Sequence, residues 1–419
     1  MKKSLFALAA ATAFTGAAQA QSSVTVYGIL DVGYTGANER VSSGTTNTNT
    51  NVSRIGNSME SGSRIGFRGN EDLGGGTSAQ FTFELGIQPA GNQGSNPNGT
   101  GTAGLAAGTY SGQGSATWNP DVRQAFVGLS QKGMGTVRIG TQNTLWWEQG
   151  ASNTTGQLSQ TLGSMLAPSS VGAFAGSLSS VNGGASAAYV SRTTNTVNLR
   201  TERMAGVVLK AAYTLSNQTG RQTKTTTGYT GGQSDQSGYQ LALDWNIQKA
   251  NIQGSYASFK SEGPYSATAA ELNTITYTTN SPAAWGTGTQ GTNVGDTQAL
   301  VTASYDFGIL KAYAGWTQRK VSATYNGNVF LKRTAQEIGV RGYATKTIEY
   351  WGSVGNGRWN AFGLSQPTAN ITGYQLGSNY WMSKRTNLYA IYGQNGTSST
   401  GSTGSANASQ YSVGVRHTF

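Results

Sequence analysis

Short segments in which apolar and polar residues alternate run through most of this chain, and that period of two limits its fold more than any other feature. In Val24–Tyr34, the residues Val24, Val26, Leu30, Val32 and Tyr34 share one face, and Thr25, Tyr27 and Asp31 share the other. Ile65 and Phe67 alternate with Arg64, Gly66 and Arg68. Phe81, Phe83 and Leu85 alternate with Gln80, Thr82 and Glu84, and Tyr239, Leu241, Leu243 and Trp245 with Gln240, Ala242 and Asp244. Side chains alternate across a strand but not across a helix, so the pattern predicts strands with one apolar and one polar face.

The template predicts strands near 23–34, 63–69, 77–87, 121–130, 134–142, 195–201, 205–215, 237–247, 250–260, 296–306, 309–320, 333–343, 346–357, 370–380, 386–395 and 409–419, sixteen in all. The gaps between them alternate long and short, which places tight turns at one end of a sheet and excursions at the other, as in an antiparallel up-and-down barrel. All seven prolines, Pro89, Pro97, Pro120, Pro168, Pro264, Pro282 and Pro367, lie in or beside the long gaps. Proline cannot donate to a sheet ladder, so their positions agree with these boundaries.

The N-terminus and the composition decide what surrounds this sheet. Lys2 and Lys3, a small and apolar stretch from Ser4 to Ala17, and Ala18-Gln19-Ala20 form the pattern of a secretory signal peptide over residues 1–20, leaving residues 21–419 as one domain. Export argues against a nucleic-acid partner despite the formal charge of +11. Only 36% of residues are hydrophobic and 11% charged, against roughly 45–50% and 25% in ordinary soluble domains. The absence of cysteine and the single histidine remove disulfides, thiol catalysis and zinc cages of cysteine and histidine. No cofactor or metal site is expected.

Soluble β-sandwiches and β-helical adhesins also alternate, but no fixed repeat of 20–50 residues is present. Phe67, Trp245, Tyr305, Tyr380 and Phe419 all fall toward the short-turn ends of their strands, as an interfacial aromatic girdle requires. The polar faces must then line a water-filled lumen, because bare polar groups cannot face lipid. The fold class expected is an all-β transmembrane 16-stranded antiparallel up-and-down β-barrel with an inserted constriction loop.

Several stretches resemble the Gram-negative outer-membrane general porins, in particular the branch whose members are often anion-selective trimers. They are Ser23-Val24-Thr25-Val26-Tyr27-Gly28-Ile29-Leu30-Asp31, Ser63-Arg64-Ile65-Gly66-Phe67-Arg68-Gly69 with Glu71-Asp72-Leu73-Gly74-Gly75-Gly76, Arg123-Gln124-Ala125-Phe126-Val127-Gly128-Leu129, Gly135-Thr136-Val137-Arg138-Ile139-Gly140 and Gly414-Val415-Arg416-His417-Thr418-Phe419. The resemblance implies a third long loop folded inward and eyelet residues at Arg64, Arg123 and Glu84, with Arg192 the nearest match to a further arginine. It also implies a homotrimer, contact with outer-membrane lipid and lipopolysaccharide, recognition of Phe419 by the barrel-assembly machinery, and passage of small hydrophilic solutes and anions. Thr141 and Asn198 stand where the family tends to carry arginine. Between Asn143 and Tyr189 the only charged side chain is Glu148, the one acidic residue that this loop can turn toward the wall.

Arg64, Arg68, Arg123 and Arg138 are assigned here to the polar, inward face; Arg68 and Arg138 are read as secondary lumen charge nearer the inner turns. Gly28 and Gly128 are read as weakly hydrophobic outward positions suited to contact between protomers. Gly286-Thr287-Gly288-Thr289-Gln290-Gly291 fits G-x-G-x-x-G, but no helix pattern follows it, so a nucleotide loop is not expected. His417 is assigned to an outward strand end rather than to catalysis, and Asp31, Glu84 and Asp244 to lumen polarity; the chain is not expected to be an enzyme. Two other uses of the same barrel are a surface-exposed structural or adhesive scaffold and a substrate-specific sugar porin, for which Trp146-Trp147 could form a slide.

Overall fold

Alternating segments that bury a polar face on water and expose an apolar face to lipid can only close their ladder on themselves, and this chain does so. The computed structural model describes residues 23–43, 45–57, 59–90, 121–159, 161–166, 191–219, 223–225, 228–230, 233–262, 294–323, 330–361, 369–399 and 405–419. The expected leader at 1–20, the glycine-rich stretch 286–291 and every proline except Pro89 lie outside the described residues.

The strands are β1 (Ser23–Ser43), β2 (Thr46–Asn57), β3 (Arg64–Gly74), β4 (Thr77–Gly86), β5 (Asp121–Gln131), β6 (Gly135–Asn143), β7 (Arg192–Thr201) and β8 (Val207–Thr219). After a small ribbon of β9 (Thr223–Thr225) and β10 (Gly228–Thr230) come β11 (Gln233–Ile247), β12 (Ala250–Glu262), β13 (Val294–Asp306), β14 (Leu310–Ala323) and β15 (Phe330–Tyr343). The wall ends with β16 (Ile348–Ala361), β17 (Ala369–Trp381), β18 (Thr386–Ser399) and β19 (Ser405–Thr418). Among the described residues a helix, α1 (Leu145–Ser152), stands inside.

Every neighbouring pair in the main sheet is antiparallel, and β1 closes the barrel on β19 from Ile29↔Thr418 to Ser42↔Ser405. The main sheet holds seventeen strands, but β2 and β3 share one place in the wall, giving sixteen staves. The lower part of β1, Ser23–Ile29, pairs with β3, and its upper part, Val32–Ser43, with β2. Residues 35–62, expected to be a loop, therefore contain a hairpin and then an elbow at 59–63. Asp31, fully buried, anchors the elbow: its Oδ2 accepts from the Glu60 and Ser61 amides at 2.9 and 2.7 Å, and its Oδ1 from the Tyr389 hydroxyl at 2.6 Å. A buried carboxylate with three donors is a strong clamp, so Asp31 is more than general lumen polarity.

Polarity is inverted relative to a soluble core. Gln240, Gln298, Thr302, Thr317, Gln375 and Ser412 are buried inside, while Val26, Val127, Ile338, Val354 and Leu376 are exposed outside. The expected lower girdle is present, with Phe67, Trp245, Tyr305, Tyr380 and Phe419 all exposed. A second girdle lies toward the long loops, where Tyr34–Tyr411, Tyr374–Tyr392 and Tyr239–Tyr256 form ring pairs at 5.9, 5.9 and 6.2 Å. Tyr411 and Phe419 are eight residues apart on one strand, about 20 Å of membrane depth at the usual rise and tilt, close to the thickness of a barrel's apolar band.

Two glycine assignments change. Gly128 faces inward over Arg138, because Val127 and Leu129 take the outward positions. Gly28 faces out but is covered by the Phe419 ring, into which a Cβ at that position would collide. Neither offers a bare outer patch. The same pair seals the barrel: Gly28 donates to the Phe419 carbonyl at 3.0 Å, and the Phe419 amide donates back at 3.1 Å. Removing Phe419 deletes both bonds and the ring contact, and the heat-stable folded band on gels should shift to lower temperature while the chain is still exported; an unchanged transition would show that closure does not need this residue.

Candidate functional site

The wall turns into the lumen after β6. Thr144, with extended backbone at φ −65° and ψ 154°, caps α1 by accepting from the Trp147 amide at 3.1 Å. This supplies one of the donors' partners that a helix start lacks. The helix and the described residues after it, 153–159 and 161–166, lie on the inner faces of β11–β19. The Leu145 amide donates to Gln240 Oε1 at 2.8 Å, and Asn153 Nδ2 to Thr302 Oγ1 at 3.1 Å. Gln375 Nε2 reaches the Thr161 and Leu162 carbonyls at 2.9 and 3.0 Å. Glu337 Oε2 accepts from Ser164 Oγ at 2.9 Å and from the Met165 amide at 2.6 Å. The elbow joins in, since Ser159 and Thr161 both donate to the Met59 carbonyl at 3.3 Å. The inserted loop is thus bonded to the wall as a strand would be, with side-chain amides replacing a ladder.

Inward glycines on consecutive strands give this segment its seat. Gly315, Gly339, Gly355, Gly373 and Gly393, one on each of β14–β18, lie beneath Leu166, Thr155, Met165, Met165 and Leu162 in turn. A Cβ at Gly393 would strike the Leu162 carbonyl, and one at Gly373 would come within 2.5 Å of Met165 Cε. Strand glycines at a close backbone approach are expected in general; here the approaching backbone is the chain's own loop.

Opposite the seated loop, the wall carries two charge clusters. In the first, Glu84 Oε1 accepts from Arg123 Nε at 2.7 Å, and its Oε2 accepts from the Tyr27 hydroxyl at 3.0 Å and lies 3.6 Å from Arg64 Nε. Strict alternation would put Arg123 outside with Val127 and Leu129. A register shift between Glu84↔Gln124 and Leu85↔Val122 leaves Arg123 unpaired in the ladder, and this bulge turns it inward, where it is 5% exposed. Bulges re-aim side chains in this way, so its inward place comes from the bulge and not from parity.

In the second cluster, Glu148 of α1 accepts from Arg200 Nη2 at 2.8 Å and Lys210 Nζ at 3.1 Å. Burial alone would raise the Glu148 carboxyl, but the two cations outweigh it and hold it below the ordinary value. The loop's acidic residue therefore pairs with these two residues and not with Arg64 or Arg123. Arg138 lies beside them with its guanidinium 5.0 Å from the centre of the Phe126 ring. Arg192 is buried where β7 begins, its backbone paired with Asn143. Arg68 stacks 5.2 Å from the Tyr27 ring centre below the first cluster.

Arg200 and Lys210 add two site residues to those read from the sequence, and parity marks both: Arg200 shares a face with Asn198 against Val197 and Leu199, and Lys210 shares one with Ala212 against Leu209 and Tyr213. Trp146 is no slide. It is 4% exposed, packed on Leu158 and Leu300, and donates from Nε1 to Thr317 at 3.3 Å. His417 is exposed and bonds Thr386 through Nδ1 at 2.9 Å, and Asp244 binds Arg203 at 2.9 Å near a short turn.

A model of the Gram-negative porin family matches residues 7–401. The chain is 34% identical over 154 residues to an outer membrane porin protein of Bordetella pertussis, covering 35% of this chain and 34% of that one. It is 46% identical over 84 residues to outer membrane porin protein 32 of Delftia acidovorans, 20% of this chain and 22% of the relative. These matches span about a third and about a fifth of the relatives' lengths. Among solved structures, an anion-selective porin from Comamonas acidovorans superposes with a TM-score of 0.59 at 20% identity, covering 95% of this chain and 100% of that one. OmpT of Vibrio cholerae in a trimer form gives 0.56 at 13% identity, covering 95% and 99%. At these identities the likeness is one of fold.

The seat has a direct test. Gly393→Ala forces the loop off β18 at an overpacking cost of about 1–3 kcal/mol. Hydrogen exchange over residues 161–166 should accelerate, whereas Gly295→Ala, whose Cβ meets nothing closer than 3.8 Å, should leave it unchanged; equal protection in both would show that the glycine row is not what holds the loop.

Proposed function

We propose that this chain, which belongs to the Gram-negative porin family, is an outer-membrane channel through which small hydrophilic solutes diffuse passively, with a preference for anions. The observation that carries the reading is the unbalanced charge on the wall facing the inserted loop. Arg64 and Arg123 share one carboxylate, Arg200 and Lys210 share another, and Arg138 stands beside the second pair, so each cluster keeps excess positive charge. Between low-dielectric walls such charge focuses a field on any ion that passes. Two unit charges 4 Å apart interact by about 4 kcal/mol at an effective dielectric near 20, enough to bias entry even after partial screening.

Within this reading, Arg64, Arg123 and Glu84 form the constriction, with Arg192 and Glu148 at the loop's two attachments and Arg68 and Arg138 as lumen charge on either side. Residues 1–20 act as a cleaved leader, residues 21–419 form the barrel domain, three chains assemble, and Phe419 serves the assembly machinery as well as closure. The role is transport rather than catalysis. Of the Trp146-Trp147 pair that would favour a sugar slide, Trp146 is buried and Trp147 is half-buried against it, which favours the general-diffusion reading.

Under a salt gradient, the wild-type reversal potential should lie on the anion side and move toward zero at 1 M salt, where the Debye length falls to about 3 Å. Exchanging Arg64 and Arg123 together for Glu changes the local charge by four units and should carry the potential to the cation side; a wild-type cation preference, or a double variant that behaves as wild type, sinks the assignment. Glu148→Gln frees Arg200 and Lys210 and should strengthen the anion preference while making single-channel current noisier, because α1 loses its tie to β7 and β8. A Glu148→Gln channel that moves toward cations would place that cluster outside the ion path.

A further inference from the structure

The elbow at 59–63 links separate parts of the channel. Arg64 follows it directly as the first residue of β3, and Arg64 Nη1 donates back to the Gly62 carbonyl at 3.3 Å. The Met59 carbonyl accepts from Ser159 and Thr161 of the inserted loop, both at 3.3 Å. The Met59 side chain is buried with Trp351, Tyr389 and Ile391. The position of the elbow therefore sets both the constriction arginine and the loop that faces it.

What holds the elbow comes from across the barrel seam. Tyr389 on β18 and Asp31 on β1 are separated by β19, so two strand spacings, about 10 Å, lie between their backbones. The tyrosine spans that distance lying along the wall, and the wall is stripped to glycine on its path. Tyr389 pairs with Gly414, and Gly414 pairs with Gly33. A Cβ at Gly414 would strike the Tyr389 hydroxyl, and one at Gly33 would come within 2.7 Å of it. Neither glycine has a left-handed backbone, so space and not conformation requires glycine here. At the end of this corridor the hydroxyl donates to Asp31 Oδ1 at 2.6 Å, while Asp31 Oδ2 holds the Glu60 and Ser61 amides. The backbone of Asp31 adds two bonds to Ser63 Oγ, its amide donating at 3.0 Å and its carbonyl accepting at 3.1 Å.

We propose that Tyr389 is a positioning residue of the ion filter: through Asp31 it fixes the elbow, and through the elbow it sets where Arg64 stands against Glu84 and the inserted loop. The inference rests on the channel reading above and adds to it a residue that is 3% exposed and meets no passing ion. Arg64 depends on such support. Its Nε lies 3.6 Å from Glu84, against 2.7 Å for Arg123, so its contact is the looser of the two and follows the backbone. A bond from a buried hydroxyl to a carboxylate is among the stronger single contacts. Without it Asp31 keeps its elbow donors and loses its fixed orientation. Filter groups stay in place only when the residues behind them are locked, so loss of the hydroxyl changes the geometry of the filter and not its composition.

The test uses the full barrel in planar bilayers. Tyr389→Phe keeps the ring beside Met59 and removes the hydroxyl alone; Asp31→Asn keeps the shape and leaves one acceptor oxygen for three donors. Both should fold, shift the reversal potential toward zero and add sub-conductance flicker, and hydrogen exchange over 59–63 should accelerate. Tyr392→Phe, which loses an outward hydroxyl on the same strand, should match the wild type. In an Arg64→Gln background, Tyr389→Phe should shift the reversal potential no further, because effects that run through one residue do not add. A tyrosine that served packing alone would lower folded yield and leave selectivity as it was. Unchanged selectivity in Tyr389→Phe, or an undiminished shift in the Arg64→Gln background, overturns the proposal. Failure of both variants to fold also overturns it, making the hydroxyl a requirement of the fold and not of the filter. A wild type without anion preference fails the channel reading and this inference with it, whereas an anion-preferring wild type with an indifferent Tyr389→Phe fails this inference alone.

Discussion

Hydrocarbon offers no hydrogen bonds, so every amide and carbonyl that crosses it must find its partner within the protein. The seal between β1 and β19 follows from this. An open edge of fourteen paired positions would carry several kcal/mol for each unsatisfied group, so the first and last strands must meet although nearly the whole chain separates them. The reciprocal bonds of Gly28 and Phe419 finish that seal at its lower end, and the aromatic ring occupies the space left by the missing Cβ.

Closure also inverts the usual arrangement of polarity, and the inserted loop depends on the result. A soluble core would present apolar side chains to an incoming segment. This lumen presents Gln240, Gln375, Thr302 and Glu337, which satisfy the loop's backbone and side chains one by one. Packing is added where Trp146 and Leu145 meet small or apolar wall residues and where the wall is stripped to glycine, so that Leu162 and Met165 can lie directly on the strands. The loop is held against one half of the barrel, which leaves the opposite half, β3–β8, to carry the exposed ends of the charge clusters.

That division explains why few charges suffice. The inserted loop contributes Glu148, and that residue is spent on Arg200 and Lys210. Among the described residues Arg64 and Arg123 share one carboxylate, Glu84. A loop richer in acid would neutralise the wall it faces; a loop of polar and small residues narrows the lumen without cancelling its field.

The period of two, the even number of segments, the alternating gaps and the lower aromatic ring determined the strands, their faces and the closed sheet, because each is a local property of residues i and i+2 read against one apolar and one aqueous surroundings. The same parity placed Arg64 and Arg138 inward and would have placed Arg200 and Lys210 there too. Only the tertiary structure decided the bulge that turns Arg123 inward, the elbow fixed by Asp31, the pairing of Glu148 and the seat beneath Leu162 and Met165. A bulge shifts parity by one residue without any mark in the local pattern, and the partners in the other three contacts come from strands far apart in sequence. Their meeting depends on register around the whole closed barrel, which alternation within a single strand does not encode.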